Sequence, residues 1–123
     1  MEKARKYKDL IVWQKSHEFV LLVYKVTENF PKTETFGLTS QFRRAAVSVA
    51  ANIAEGFVKK GTADKLRFYN ISQGSLNECS YYILLSKDLK YISNDDENTL
   101  QSLNDEINKL LNNFIRAIKS NTT

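Results

Sequence analysis

Four polar residues in the stretch LTSQFRRAAVSVAANIAEGF, residues 38–57, are of types that could do chemistry. At about 100° per residue around a helix, Arg44, Ser48, Asn52 and Glu55 fall on one face. A carboxylate beside a guanidinium, a hydroxyl and an amide could support general-base catalysis, with Glu55 as the base. That face holds no paired acid, no histidine and no metal set, so the chemistry lacks its second half. His17, the one histidine, has no ligand cluster beside it, and no Glu-x-x-His motif of a di-iron bundle occurs. Cys79 has no basic neighbour within a turn to activate it and reads as a small buried hydrophobe. No catalytic residue, metal ligand or cofactor is therefore assigned. The polar set reads as a device for helix register or subunit contact, with Asn52 and Glu55 fixing the register and Arg44 facing a carboxylate such as Glu55.

A second constellation is basic. Arg43, Arg44, Lys59, Lys60, Lys65 and Arg67 are opposed over that stretch only by Glu55 and Asp64. Such a group can contact phosphates; the competing reading is solvating charge. Lys59 to Arg67 surround a helix junction, while Arg43 and Arg44 begin a helix roughly 20 Å away at about 1.5 Å per residue. Residues 1–8 add Lys3, Arg5, Lys6 and Lys8, read as a flexible basic arm that is either solvated or touches nucleic acid. The net charge of +4 and pI of about 9.2 permit an anionic partner without demanding one.

The elements that must position these residues are helices. The chain has 123 residues, one proline and four glycines, too few breakers for a turn-rich β fold and suited to one domain of long helices. Four are expected, at about 9–30, 39–60, 63–92 and 94–119, followed by a frayed tail at 120–123. Asp9 is the expected cap of the first, which Pro31 stops. Thr39 or Ser40 caps the second, and Gly61 follows it as a C-terminal glycine. Thr62 caps the third, with Asp64 in its first turn, and Ser93 with Asp96 caps the fourth.

Phe42, Ala46, Val49, Ala50, Ile53 and Phe57 form the inner side of the second helix, whose five alanines let neighbours come close. Phe68, Ser72, Ser75, Cys79 and Ser86 on the third are the matching small side. In the fourth, Leu100, Leu103, Ile107, Leu110 and Phe114 repeat at alternating spacings of three and four, widened by Leu111 and Ile118. Short connections make neighbouring helices antiparallel, so the expected fold is all-α, an up-down-up-down four-helix bundle. The first helix is apolar over more than half its circumference, and YYILL at 81–85 is apolar all round. Both exceed what one core needs. Trp13, Phe19, Tyr24, Tyr81 and Tyr82 are the candidate contacts between copies. A lone cysteine, a charged start with no apolar leader and no membrane-length apolar run fit a cytoplasmic protein with no membrane partner.

With these motifs in view, the chain resembles the four-helix-bundle family of ribosomal-RNA intervening-sequence proteins, which includes the accessory protein of diversity-generating retroelements. The resemblance rests on DLIVWQKSHEFVLLVYKVTENFPK (Asp9–Lys32), FGLTSQFRRAAVSVAANIAEGF (Phe36–Phe57) and FYNISQGSLNECSYYILLSKDLKYI (Phe68–Ile92). Arg43 to Phe57 is its specific part; the fourth helix matches only as an amphipath. Ala50 stands where relatives carry proline, so a straighter second helix is expected. The resemblance implies a left-handed bundle without enzymatic activity, assembled as a homo-oligomer, typically a pentamer. In the retroelement relative it implies binding to a reverse transcriptase and to nucleic acid. In the rRNA-insert relatives it implies only the gene's position.

Two functions stay open on this reading. One is a non-catalytic oligomeric module that binds RNA or DNA, with or without a protein partner, through repeated basic patches. The other is a scaffold that binds protein alone, with no nucleic-acid contact.

Overall fold

The computed structural model describes residues 3–120. Four helices account for most of them: α1 (Ile11–Thr27), α2 (Leu38–Val58), α3 (Thr62–Asp88) and α4 (Asn94–Ser120), with no strand among the described residues. They pack as a bundle in which α1 touches α2 and α4, and α3 touches α2 and α4, the α2–α3 seam being the most extensive. One continuous core runs through it, with Phe19 and Val23 from α1, Phe42, Val49 and Ile53 from α2, Tyr69, Leu76 and Ile83 from α3, and Leu100, Ile107 and Leu111 from α4.

The α2–α3 seam is close because both sides are small. Ala45 and Ala46 are buried on α2, and Ser72, Ser75, Cys79 and Ser86 on α3. Ser72 Oγ donates to the Val49 carbonyl at 2.9 Å, and Ser75 Oγ to Ser48 Oγ at 2.7 Å. Such buried hydroxyls cost little once paired. Across the α3–α4 seam, Asn104 Nδ2 donates to the Leu76 carbonyl at 3.0 Å and Gln73 Nε2 to Asn112 Oδ1 at 2.6 Å.

Helix ends depart from the sequence expectation. Asp9 does not cap α1. Its Oδ2 accepts the Arg5 and Lys6 N–H groups at 3.0 and 3.2 Å and closes a 3-10 turn at Tyr7–Asp9, so α1 starts at Ile11. That turn packs on α1 and α2, so the end of the arm expected to be flexible is ordered; Met1 and Glu2 lie outside the described residues. Pro31 forces the chain out of α1 early: the helix stops at Thr27 and a tight turn carries Phe30 back into the core.

Neither Thr39 nor Ser40 caps α2; Glu34 Oε1 takes the Leu38 N–H at 3.1 Å from the preceding loop. Gly61 is no C-terminal glycine, because α2 ends at Val58 and Gly61, at φ −81°, precedes α3 without a left-handed backbone. Thr62 is consequently the first residue of α3 and not its cap. α3 ends at Asp88, short of Ile92, because Lys90 turns left-handed at φ 65°. The Lys90 and Tyr91 N–H groups return to the carbonyls of Lys87 and Ser86 at 2.9 and 2.8 Å, which satisfies the last turn. Ser93 does cap α4, its Oγ accepting the Asp96 N–H at 3.0 Å. The last helix extends to Ser120, and the rest of the expected tail, Asn121 to Thr123, lies outside the described residues.

Candidate nucleic-acid interface

The six cations divide by what they touch. Arg43 reaches across to α1, where Nε donates to Thr27 Oγ1 at 2.8 Å and Nη2 to the Tyr24 carbonyl at 3.3 Å. Its guanidinium lies 4.5 Å from the centre of the Tyr24 ring. Lys65 turns back onto the end of α2 and donates from Nζ to the carbonyls of Phe57 and Gly56, at 2.8 and 3.2 Å. A cation there satisfies carbonyls that the helix cannot. Burial holds the Lys65 pKa below its ordinary 10.5. Both side chains therefore already have partners inside their own chain.

Lys59, Lys60 and Arg67 remain at the surface of the α2–α3 junction. The Lys59 ammonium lies 5.2 Å and the Arg67 guanidinium 4.7 Å from the centre of the Phe68 ring. Lys59 also meets Glu55 at 3.2 Å, and Arg67 meets Asp64 at 3.9 Å. Exposed pairs of this kind are weak and easily exchanged for another anion. Lys60 is exposed beside them. Arg44 is also exposed, on a separate polar groove of about 400 Å³ shared with Gln41, Ser48, Ser75 and Glu78.

The polar set reaches α3 through Ser48. Asn52 Nδ2 donates to the Ser48 carbonyl and Oγ at 2.8 and 3.0 Å, and Ser75 donates to the same Oγ. Glu55 turns away to Lys59, and the acid that shares the groove with Ser48 is Glu78 of α3. Among the described residues, no three His, Cys, Asp or Glu side chains gather as a metal set. Burial pushes the Cys79 thiol up to about 12, helped by the charge of Glu78, which leaves it a core group.

The five aromatic candidates for contacts between copies fare differently. Phe19 is 0% exposed, a core residue of its own chain, and that assignment is corrected: its face of α1 points into the bundle. Tyr24 is partly exposed and holds Arg43. Tyr82 is half-buried, its hydroxyl donating to Glu78 Oε2 at 3.2 Å. Tyr81 is 57% exposed. Trp13 stacks on His17 at 5.1 Å with 6° between planes, and Tyr7 meets its edge at 5.0 Å.

Trp13 belongs to a feature that the sequence reading missed. On α1, Trp13, His17, Val20 and Tyr24 recur at spacings of four, three and four; on α2, Val47, Ala51, Ala54 and Val58 do the same. Tyr7, Trp13, His17, Val20, Val47 and the three alanines Ala50, Ala51 and Ala54 line a groove of about 240 Å³ between the two helices. The signal was available: α2 carries a second apolar stripe beside its inner one.

No helix of the described residues is long and apolar enough to cross a membrane. A family model described as "23S rRNA-intervening sequence protein" matches residues 8–113. The crystal structure of a protein of unknown function from the S23 ribosomal protein family of Bacteroides thetaiotaomicron is similar, with a TM-score of 0.77 at 30% identity. The match covers 85% of this chain and 98% of that one. No protein of curated function matches. With the specific run Arg43 to Phe57 inside the matched span and four helices packed as a bundle, the chain belongs to the 23S rRNA-intervening sequence protein family.

Proposed function

We propose that this chain is a non-catalytic, self-associating bundle that binds RNA or DNA at the α2–α3 junction. The observation that carries it is the placing of Lys59 and Arg67 over Phe68, with Lys60 exposed next in the chain, in which Lys59 and Arg67 keep only weak internal partners. Cations over an aromatic ring offer a phosphate contact and a stacking surface for an unpaired base in one place. Repetition of the cluster in an assembly would multiply a weak contact. In this reading the helices run up-down-up-down in a left-handed bundle. Antiparallel seams are supported by the pairing of residues 48, 49 and 57 with 75, 72 and 65. The assembly is read as a homopentamer, the state that the family resemblance implies, in a cytoplasmic protein with no cofactor and no membrane contact. A reverse transcriptase would be the protein partner if the gene sits in a retroelement.

The test is a salt titration of RNA and DNA binding. The logarithm of affinity should fall linearly with that of salt, by about 0.7–0.9 per phosphate contact. A triple variant, Lys59→Gln, Lys60→Gln and Arg67→Gln, should flatten that slope and weaken binding without changing stability. Lys65→Met is the control: it should lose about 1–2 kcal/mol of stability through unpaired carbonyls, with the slope unchanged. No binding of RNA or DNA even at low salt, with partner binding that ignores salt, would instead support the scaffold that binds protein alone, which the apolar α1–α2 groove favours.

A further inference from the structure

Gln73, Asn77 and Ser80 from α3 and Asn104, Asp105 and Asn108 from α4 line an open groove of about 430 Å³ between the two helices. Four of these six side chains are carboxamides, and no basic residue lines the groove. Several of its polar groups are already fixed. Asn104 is 4% exposed and donates from Nδ2 to the Leu76 carbonyl at 3.0 Å. Gln73 Nε2 is held on Asn112 Oδ1 at 2.6 Å. Gln101 Nε2 ties Ser80 Oγ to Asp105 Oδ1, at 3.2 Å from each. Groups set before a ligand arrives lose less freedom on binding it. Gly74 keeps the wall of the groove low. It costs α3 helical stability relative to alanine, yet a Cβ built there meets nothing within 4 Å, so no neighbour in the chain requires it.

We propose that this groove reads an adenine of a single strand whose phosphates rest on Lys59, Lys60 and Arg67. The proposal rests on the nucleic-acid reading above and adds a base preference to it. The two places are joined along α3. Arg67, Asn70, Gly74 and Asn77 recur at spacings of three, four and three, and all are exposed, so one open stripe leads from the cations to the groove. Arg67 and Gly74 are roughly 10 Å apart along the helix at about 1.5 Å per residue, the length of about three stacked nucleotides at about 3.4 Å each. A carboxamide carries a donor beside an acceptor and so matches the adjacent amine and ring nitrogen of adenine. The Asp105 carboxylate is an acceptor for the same amine and repels phosphate, which keeps the backbone out of the groove and admits the base. Guanine presents two acceptors on its outer edge and is met by arginine or lysine, which the groove lacks. Cations position the strand, and the amides select what lies in it.

The test measures binding of fluorescently labelled single-stranded RNA oligomers of one length by anisotropy. All positions are uridine except three central ones, which are adenine, cytosine, guanine or uridine. The strand with central adenines should bind about 5-fold or more tightly than the all-uridine strand, the discrimination of one good amide–base pairing. The double variant Asn77→Leu and Asn108→Leu changes two exposed side chains of similar size. It should erase that preference and leave the affinity for the all-uridine strand and its salt slope unchanged. Gly74→Leu, which fills the open side of the groove, should do the same, and circular dichroism confirms that each variant is folded. The triple variant of Lys59, Lys60 and Arg67 should weaken every strand by one common factor and keep the adenine preference. If the unaltered chain binds all four strands equally, or prefers another base, or if both groove variants keep the adenine preference, the base reading is wrong while binding at the α2–α3 junction stands. If the unaltered chain binds none of the strands at low salt, the nucleic-acid reading fails and the base preference with it.

Discussion

Gly56 and Gly74 lie on facing helices and lack a side chain for opposite reasons. A Cβ on Gly56 would come within 2.6 Å of Tyr69 Cε1, because that ring lies directly on the α2 backbone. Tyr69 is fully buried and meets Phe114 with ring centres 5.2 Å apart, so the ring has little room to move. Gly56 therefore serves the core, and its cost to the helix is offset by a large aromatic seated against it. Gly74 gives the core nothing, and its space opens outward. The inner side of α3 is filled by its own chain, whereas at Gly74 the helix borders an open polar groove shared with Asn77, Asn104 and Asn108.

Four measurements could break or sharpen that contrast. Gly56→Ala should lose the most, about 2–3 kcal/mol in urea unfolding, as overpacking against Tyr69 forces the seam apart. A loss below about 0.5 kcal/mol would mean that the ring yields and the seam is looser than described.

The second is alkaline stability, which probes the inner side of α3. The Cys79 thiol ionises near its ordinary 9.0 when unfolded but is pushed up to about 12 in the fold. The folded chain therefore holds the extra proton in that window, and stability falls as pH rises through it, by up to about 1.4 kcal/mol per pH unit. Tyr69, pushed by burial from 10.0 up to about 12, adds to the fall above 10. Lys65 acts in the opposite sense: its lowered pKa means that the unfolded chain holds more protons, so its share of stability rises as pH approaches 10.5. In Cys79→Ala, the part of the fall that begins near 9 should vanish; its persistence would assign the fall to another group.

Third, Lys90→Gly should gain about 1 kcal/mol by relieving the left-handed backbone at φ 65°. Last, Gly74→Ala should gain about 0.8–1 kcal/mol from helix propensity. A destabilised Gly74→Ala monomer would show that the open space is needed by the chain itself.

Much of this fold could be read from the residues. The alternating spacing of Leu100, Leu103 and Ile107 located α4, and the small residues Ser72, Ser75 and Cys79 correctly anticipated the seam with α2. The reading drifted further along. Leu111 and Ile115 are buried where Leu110 and Phe114 were expected to lead, because a 3.5-residue repeat slips about 20° per heptad on a 3.6-residue helix. Tyr69 was missed for its neighbour Phe68, since only the backbone of Gly56 makes room for that ring. Buried Asn104 was invisible because its partner is a carbonyl on another helix. The basic cluster was found by adjacency in the chain, which cannot tell that Arg43 and Lys65 bend back onto carbonyls while Lys59, Lys60 and Arg67 do not.

Glu34 has a mechanical consequence for the end of the bundle away from the basic cluster. Its Oε1 holds the first N–H of α2, and its Oε2 accepts the Tyr91 hydroxyl at 2.9 Å from the loop between α3 and α4. Phe30 presses on the same tyrosine with ring centres 5.2 Å apart. One carboxylate thus latches two crossover loops that are far apart in the chain. Transient local opening there should be concerted: amide protons at Leu38 and around Tyr91 should exchange with solvent at matched rates, as a single cooperative unit.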